Sequence, residues 1–173
     1  ERPRFEKTLY VDKDGVLNDV VIRENNLSSP RSIKEIYLEE SLDFLKNEVQ
    51  KKSFNVVIIS NQPDLSRGII NEKFLVETVG KIREFVPVNH AYFCPHTIDY
   101  GCECRKPKTG MVNLFRKNFP NSIDRECYIG DTDKDIECAK RLKMKYIHKV
   151  HDFNRDLSAT TSTAIKNFRE LTL

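Results

Sequence analysis

The sequence contains no tryptophan, only two methionines and only six glycines in 173 residues. So little glycine excludes a collagen-like repeat or a glycine-rich low-complexity linker. Nowhere does the chain approach the ~18 consecutive apolar residues of a membrane span. Its strongest run, Val56-Val57-Ile58-Ile59, suits a buried strand. Excess charge of one sign is also missing: 29 basic and 26 acidic residues leave a net charge of +3. That balance does not mark a nucleic-acid binder, and no basic stripe is interleaved with aromatics as in single-strand binders. Glu1-Arg2-Pro3-Arg4 carries neither an initiating methionine nor an apolar signal region. This start is expected of a trimmed chain or a piece of a longer one. Against these absences, Leu, Ile, Val and Phe supply 50 of the 173 residues. That share is well above the ~20 % below which chains tend to disorder, so a core can be buried. The length predicts one domain over residues 1–173.

Short apolar runs alternate with longer amphipathic ones. Strands are predicted over 8–11, 55–59, 90–93, 126–129 and 145–149. Helices are predicted over 39–51, from an Asn71 cap through Phe85, and over 110–117, 131–142 and 162–170. Residues 19–34 read as an irregular loop or flap. The alternation predicts an α/β fold: a doubly wound parallel sheet with helices on both faces and no large cap domain. In such sheets the ligand site lies beyond the carboxyl ends of the strands. That rule directs attention to Asp12, Ser60, residues 94–106 and Asp131.

Asp12-Lys13-Asp14-Gly15 places two carboxylates two residues apart after a buried strand. Carboxylates that close repel unless a cation or a shared proton intervenes. One can serve as nucleophile or hard-metal ligand, and the other can give and take a proton. Taken alone, the segment is also compatible with an acidic surface turn. Gly130-Asp131-Thr132-Asp133-Lys134-Asp135 again sets carboxylates at a strand–helix junction, where acids also serve simply as helix caps. Ser60-Asn61 adds a hydroxyl and an amide, and Lys106 a cation. Together these segments supply what phosphoryl transfer needs: a nucleophile, ligands for a divalent cation, and donors for phosphoryl oxygens.

A further group lies between. Cys94-x-His96 and Cys102-x-Cys104 offer three thiolates and an imidazole, a complete tetrahedral set for zinc with no position left for water. The zinc loop over 94–104 is therefore read as structural, pinning a segment with little apolar content and with it Arg105 and Lys106. Cys127 and Cys138 read as buried thiols. Odd cysteine number and close spacing point to a reducing, cytoplasmic setting.

With these motifs in hand, the sequence resembles the haloacid dehalogenase-type phosphatases over residues 8–147. Asp12-x-Asp14-Gly15-Val16, Ser60, Lys106 and Gly130-Asp131-x-x-x-Asp135 correspond to their four motifs in order. The resemblance implies that Asp12 attacks phosphorus and that Asp14 protonates the leaving alcohol and then activates water. It implies that Asp12, the Asp14 carbonyl and Asp131 hold Mg²⁺, that Ser60 and Lys106 bind the phosphoryl group, and that Asp135 supports them. The cysteine loop narrows the likeness to the zinc-containing branch, which includes heptose bisphosphate phosphatases and histidinol-phosphate phosphatases. Ser60-Asn61-Gln62 with Ser66-Arg67-Gly68 resembles the former; the five-residue gap between His96 and Cys102 resembles the latter. Asn18, Asn61, Gln62, Arg67 and Arg105 are the expected substrate contacts, with an arginine for a second phosphate. The expected substrate is a small sugar bisphosphate, with histidinol phosphate as the alternative, acted on by a monomer without nucleic acid or membrane as partner. A nucleic-acid end phosphatase or a non-catalytic zinc module is the reading from another class.

Overall fold

The computed structural model describes residues 7–120 and 125–173; the Glu1-Arg2-Pro3-Arg4 stretch lies outside them. The chain runs through β1 (Lys7–Val11), the hairpin of β2 (Val21–Arg23) and β3 (Asn26–Ser28), and α1 (Leu42–Lys51). It continues through β4 (Phe54–Asn61), α2 (Glu72–Arg83), β5 (Val88–Cys94), α3 (Gly110–Asn118), β6 (Arg125–Gly130) and α4 (Asp133–Arg141). It closes with β7 (Lys145–Lys149), a short α5 (Arg155–Ser158) and β8 (Ala164–Ile165). Six of these strands form one parallel sheet in the order β5-β4-β1-β6-β7-β8.

Alternation along the central strands builds two apolar layers. Leu9, Val11, Val56, Ile58 and Ile129 pack with Leu45 and Val49 of α1 and with Val79 and Ile82 of α2. Tyr10, Val57, Ile59 and Tyr128 pack on the other face with Val112 and Phe115 of α3 and with Cys138 and Ala139 of α4. Burial on both faces is why these strands read as continuous apolar runs and not as alternating ones. Each such side chain contributes ~1.5–3 kcal/mol by leaving water. From β1 the sheet grows toward β4 and β5 on one side and toward β6, β7 and β8 on the other. A crevice opens at the carboxyl ends of the strands at such a reversal, beside Asp12 and Asp131.

Two segments differ from the sequence reading. The region over 19–34 holds the antiparallel β2–β3 hairpin and a turn of 3₁₀ helix, Ile33–Glu35. Its two-residue turn places Glu24 and Asn25 at φ of 48° and 63°, the left-handed pair that matches the twist of paired strands. No glycine advertises it. The helix expected over 162–170 is replaced by β8 and a 3₁₀ turn, Phe168–Glu170. Ile165, Phe168 and Leu171 are all buried, and their spacing of three mimics a helical face. An edge strand followed by a tight turn buries the same three side chains, and the Asn167 side chain accepts from the Arg169 N–H to start that turn.

Candidate active site

Asp12 directly follows β1, and its N–H donates to the Ile129 carbonyl at 3.0 Å, carrying the β1–β6 pairing one residue further. The Lys13 carbonyl then accepts from Leu17 N–H at 2.9 Å and Asn18 N–H at 3.2 Å, which folds the chain back beneath the acids. Gly15 makes this turn at φ 82°. A Cβ there would collide with the Asp131 carboxylate, so the side-chain-free position lets the two acidic segments meet. Gly15→Ala is expected to push Asp131 away and to weaken binding of a divalent cation by the acids at this turn at least tenfold, read by calorimetric titration; an unchanged affinity would overturn this role for Gly15.

The Asp12 Oδ1 oxygen accepts from Lys13 N–H at 2.7 Å and pairs with Lys106 Nζ at 3.0 Å, leaving Oδ2 without a donor among the described residues. Lys106, 3 % exposed, also donates to Asp135 Oδ1 at 2.7 Å and to the Ile59 carbonyl at 2.9 Å. Asp135 accepts from Tyr128 hydroxyl at 2.9 Å, from Thr132 hydroxyl at 2.8 Å, and from the N–H groups of Thr132 and Asp131 at 3.1 and 3.2 Å. Asp135 therefore serves both roles left open for this segment: it closes the Thr132 capping box of α4 and it anchors the buried lysine. Asn61 and Lys106 exchange hydrogen bonds, Lys106 N–H to Asn61 Oδ1 at 3.0 Å and Asn61 Nδ2 to the Lys106 carbonyl at 3.1 Å. That exchange ties the end of β4 to the loop beyond the cysteines.

Asp14 is held differently. Its carboxylate pairs with the buried Lys13 ammonium, accepts from Asn18 Nδ2 at 2.9 Å and from Gln62 Nε2 at 2.8 Å. Gln62 Nε2 also donates to Ser60 Oγ at 3.0 Å, which leaves the serine's own hydrogen free to donate outward. Asn18 and Gln62 thus grip the acid and do not line the cavity. Arg67 is likewise not brought to it: the guanidinium is bonded to Asp64 at 3.0 Å, and Arg31 shares that carboxylate at 2.7 Å. The cavity is about 320 Å³ and brings together Asp12, Asp14, Ser60, Asn61, Arg105, Lys106 and Asp131. Leu27 and Ser28 of the hairpin, Ser29 just past it, Lys134 and Phe153 add to its walls.

Electrostatics separates the acids. Burial, with the neighbouring charges of Asp135 and Asp14, pushes Asp12 up to about 7 against the pull of Lys106. Burial and the charges of Asp12 and Asp135 push Asp131 well above the carboxylate range. Asp14 resists its own burial: Lys13 and the hydrogen bond from Asn18 hold it below that range. Asp135 does the same against Lys106. Asp131 Oδ1 is buried with no hydrogen-bond partner. Asp12, Asp131 and Asp135 lie close enough to share a cation, but every oxygen of Asp135 is already engaged. The orphaned Asp131 oxygen beside the Asp12 carboxylate fits a hard divalent cation.

Several residues at the site were not found by sequence reasoning. The buried Lys13 was passed over as the spacer between two acids. Asn154 Nδ2 donates to the Asp131 carbonyl at 2.7 Å and to the Lys149 carbonyl at 2.9 Å, fixing the loop that carries Asp131. His151 Nε2 meets the Gly15 carbonyl at 2.5 Å, and its ring stacks on Phe153 at 4.7 Å. His151, Phe153 and Asn154 follow β7, so the rule about carboxyl ends of strands, applied there as well, would have pointed to them.

Beyond β5, Cys94 Sγ lies 3.6 Å from Cys102 Sγ, 3.3 Å from Cys104 Sγ and 3.6 Å from His96 Nδ1. His96 Nδ1 and Cys104 Sγ are 3.2 Å apart. Zinc bonds of about 2.0–2.3 Å give tetrahedral ligand–ligand edges of roughly 3.3–3.8 Å, so this donor set fits zinc. Arg105 N–H donates to Cys102 Sγ at 3.4 Å and Arg105 Nη1 to the His96 carbonyl at 3.0 Å, which binds the cavity residues to the loop. Cys127 and Cys138 are buried in the sheet and α4.

An unengaged carboxylate oxygen, braced by a buried lysine at the reversal point of a parallel sheet and backed by a second acid two residues on, is the equipment of a phosphoryl-transfer enzyme. Comparison with known proteins agrees: residues 14–165 match the polynucleotide kinase 3 phosphatase family. The chain belongs to this family of haloacid dehalogenase-type phosphatases, and it is an enzyme. A Thermoplasma acidophilum protein named probable D-glycero-D-manno-heptose-1,7-bisphosphate 7-phosphatase is 32 % identical over 146 residues, 81 % of this chain and 88 % of its own. The histidine biosynthesis bifunctional protein HisB of Legionella pneumophila is 29 % identical over 94 % of this chain but 47 % of its own length. The solved D,D-heptose 1,7-bisphosphate phosphatase of B. bronchiseptica, complexed with magnesium and phosphate, shares the fold. It superposes with a TM-score of 0.78 at 22 % identity, over 94 % of this chain and 93 % of that one.

Proposed function

We propose that this chain is a magnesium-dependent phosphomonoesterase that removes the 7-phosphate of D-glycero-D-manno-heptose 1,7-bisphosphate through an aspartyl phosphate on Asp12. The observation that carries the chemistry is the division of labour at Asp12: Oδ1 is held by Lys13 and Lys106 while Oδ2 is left to attack. Mg²⁺ held by Asp12, Asp131 and the Asp14 carbonyl would supply positive charge for the phosphoryl oxygens. Ser60 donates its free hydrogen to the phosphoryl group, and Lys106 offsets charge beside it. In the first half, Asp12 Oδ2 bonds to phosphorus, the ester P–O bond breaks, and Asp14 gives its proton to the leaving oxygen. The dianion brought beside Asp14 is what raises its proton affinity for that step. In the second half, water gives a proton to Asp14 and attacks phosphorus, releasing phosphate and restoring Asp12.

The relatives' names support the heptose substrate, and so does a cavity of about 320 Å³ roofed by a hairpin, which suits a sugar phosphate better than a strand of nucleic acid. All residues the reaction needs come from one chain, in keeping with a monomer of residues 1–173. Five free cysteines and the thiolate cluster favour a reducing cytoplasm, where Cys94, His96, Cys102 and Cys104 hold a structural zinc. No helix among the described residues is long and apolar enough to cross a membrane.

Phosphate release with Mg²⁺ tests the reading against both heptose anomers, histidinol phosphate, fructose 1,6-bisphosphate and a 3′-phosphorylated oligonucleotide. A kcat/KM for one heptose anomer about a hundredfold above the other compounds is expected. Preference for histidinol phosphate or the oligonucleotide would overturn the substrate while leaving the Asp12 chemistry in place.

A further inference from the structure

The hairpin that walls the cavity has little apolar burial to hold it in place. β2 and β3 form a two-stranded sheet of their own, and their residues are half-buried or exposed. Ile22 and Leu27 are 72 % and 49 % exposed. A two-stranded ribbon is marginal in water, so its placement must come from elsewhere. Leu27 and Ser28 nevertheless line the cavity, with Ser29 just beyond them.

A chain of charged bonds supplies the placement. Arg23 of β2 donates through Nη1 to Ser28 Oγ at 2.9 Å and to the Ser29 carbonyl at 2.8 Å, and through Nη2 it pairs with Glu35. Glu35 also accepts from the Arg31 N–H at 2.6 Å. Arg31 Nε then donates to Asp64 Oδ2 at 2.7 Å. Asp64 is the fixed end of this chain. It is 6 % exposed and lies in the loop after β4, where its carbonyl accepts from Ile69 N–H at 2.9 Å. Against its own burial, Arg31 and Arg67 hold its carboxyl below the usual range. A buried carboxylate needs such partners. Arg67 supplies one from the same loop at 3.0 Å, and Arg31 supplies the other from beyond the hairpin, 33 residues away in sequence. Gln62, two residues before Asp64, holds Asp14 at 2.8 Å. One loop therefore sets both the proton-handling acid and the hairpin that faces it across the cavity.

We propose that Asp64, by gripping Arg31, is a positioning residue that fixes the hairpin against the cavity and so excludes phosphoesters with bulky leaving groups. This rests on the sugar-phosphate reading above. Two measurements test it. Hydrogen exchange over residues 21–29 is expected to quicken at least tenfold in Asp64→Asn and in Arg31→Gln, since an amide has one acceptor oxygen for two arginines and glutamine lacks the guanidinium fork. Selectivity is the ratio of kcat/KM for the heptose 1,7-bisphosphate to that for a nucleoside 5′-monophosphate. Loss of one charge-assisted bond lowers that ratio about tenfold in either variant, through KM, with kcat for the sugar within about threefold of wild type. The double variant matches the single ones, as one shared contact requires. Unchanged exchange in both single variants overturns the positioning role, whichever substrate the enzyme takes. Faster exchange with an unchanged ratio overturns the link to selectivity. A wild-type enzyme that prefers histidinol phosphate overturns the heptose reading alone, and the ratio taken with that ester still tests Asp64. A wild-type ratio near one overturns both. Arg31, 36 % exposed at its side chain, can be replaced without opening the core, so Arg31→Gln decides the matter even if Asp64→Asn does not fold.

Discussion

Asp12→Asn is expected to lower kcat by about 10⁴-fold or more, because an amide oxygen is a far poorer nucleophile toward phosphorus than a carboxylate. The fold is expected to survive with an unchanged or raised melting temperature. Burial and nearby carboxylates push Asp12 up to about 7, so its negative charge is a net cost to the metal-free protein. Asparagine removes that charge with little change of shape. Lys106 keeps Asp135 at 2.7 Å and the Ile59 carbonyl at 2.9 Å, so no buried cation is orphaned. Phosphate release and thermal unfolding read the two halves of this expectation. Turnover at the wild-type rate would remove Asp12 as the nucleophile; a large drop in melting temperature would show that its pairing with Lys106 is structural.

The second large effect is expected at the cysteine loop. Wild-type protein should carry about one zinc per chain, and a Cys102→Ser/Cys104→Ser variant close to none. Binding free energy of a structural zinc is folding free energy, so the variant should melt at least ~10 °C lower, since each kcal/mol lost is worth about 2–4 °C for a chain of this size. Activity should fall at least tenfold as well, because Arg105 is bonded to Cys102 and His96, and Lys106 follows it into the cavity. Elemental analysis, calorimetry and kinetics on one preparation test all three. Zinc-free protein with wild-type stability would leave the cluster as four unliganded side chains.

The acids make a further point about burial. A lone carboxylate inside an apolar layer would be prohibitively costly. Here Asp14 and Asp135 keep low proton affinity because each faces a buried lysine, Lys13 and Lys106, while Asp12 and Asp131 do not share that relief equally. The result is one site with two firmly ionised acids and two that need a cation. In the proposed reaction Mg²⁺ meets that need at Asp12 and Asp131, and Asp14 takes up a proton only once the substrate's charge raises its affinity.

Local pattern alone determined the strands β1, β4, β5, β6 and β7, since runs such as Val56–Ile59 can only be buried, and it placed Asp12, Ser60 and Asp131 at their carboxyl ends. Spacing alone also grouped Cys94, His96, Cys102 and Cys104, because four donors within eleven residues need little tertiary help to converge. What depended on the tertiary structure were the contacts between distant segments. Gln62 reaches across from β4 to Asp14, Asn154 reaches Asp131 from beyond β7, and His151 meets Gly15 over a separation of 136 residues. Arg67 turned to Asp64 and away from the cavity, while Lys134, an unremarked residue between two aspartates, turned into it. A strand or a ligand cluster is chosen by its neighbours in the chain. The direction of a lysine or the partner of an amide is chosen by whichever unpaired charge or carbonyl the packed sheet sets beside it.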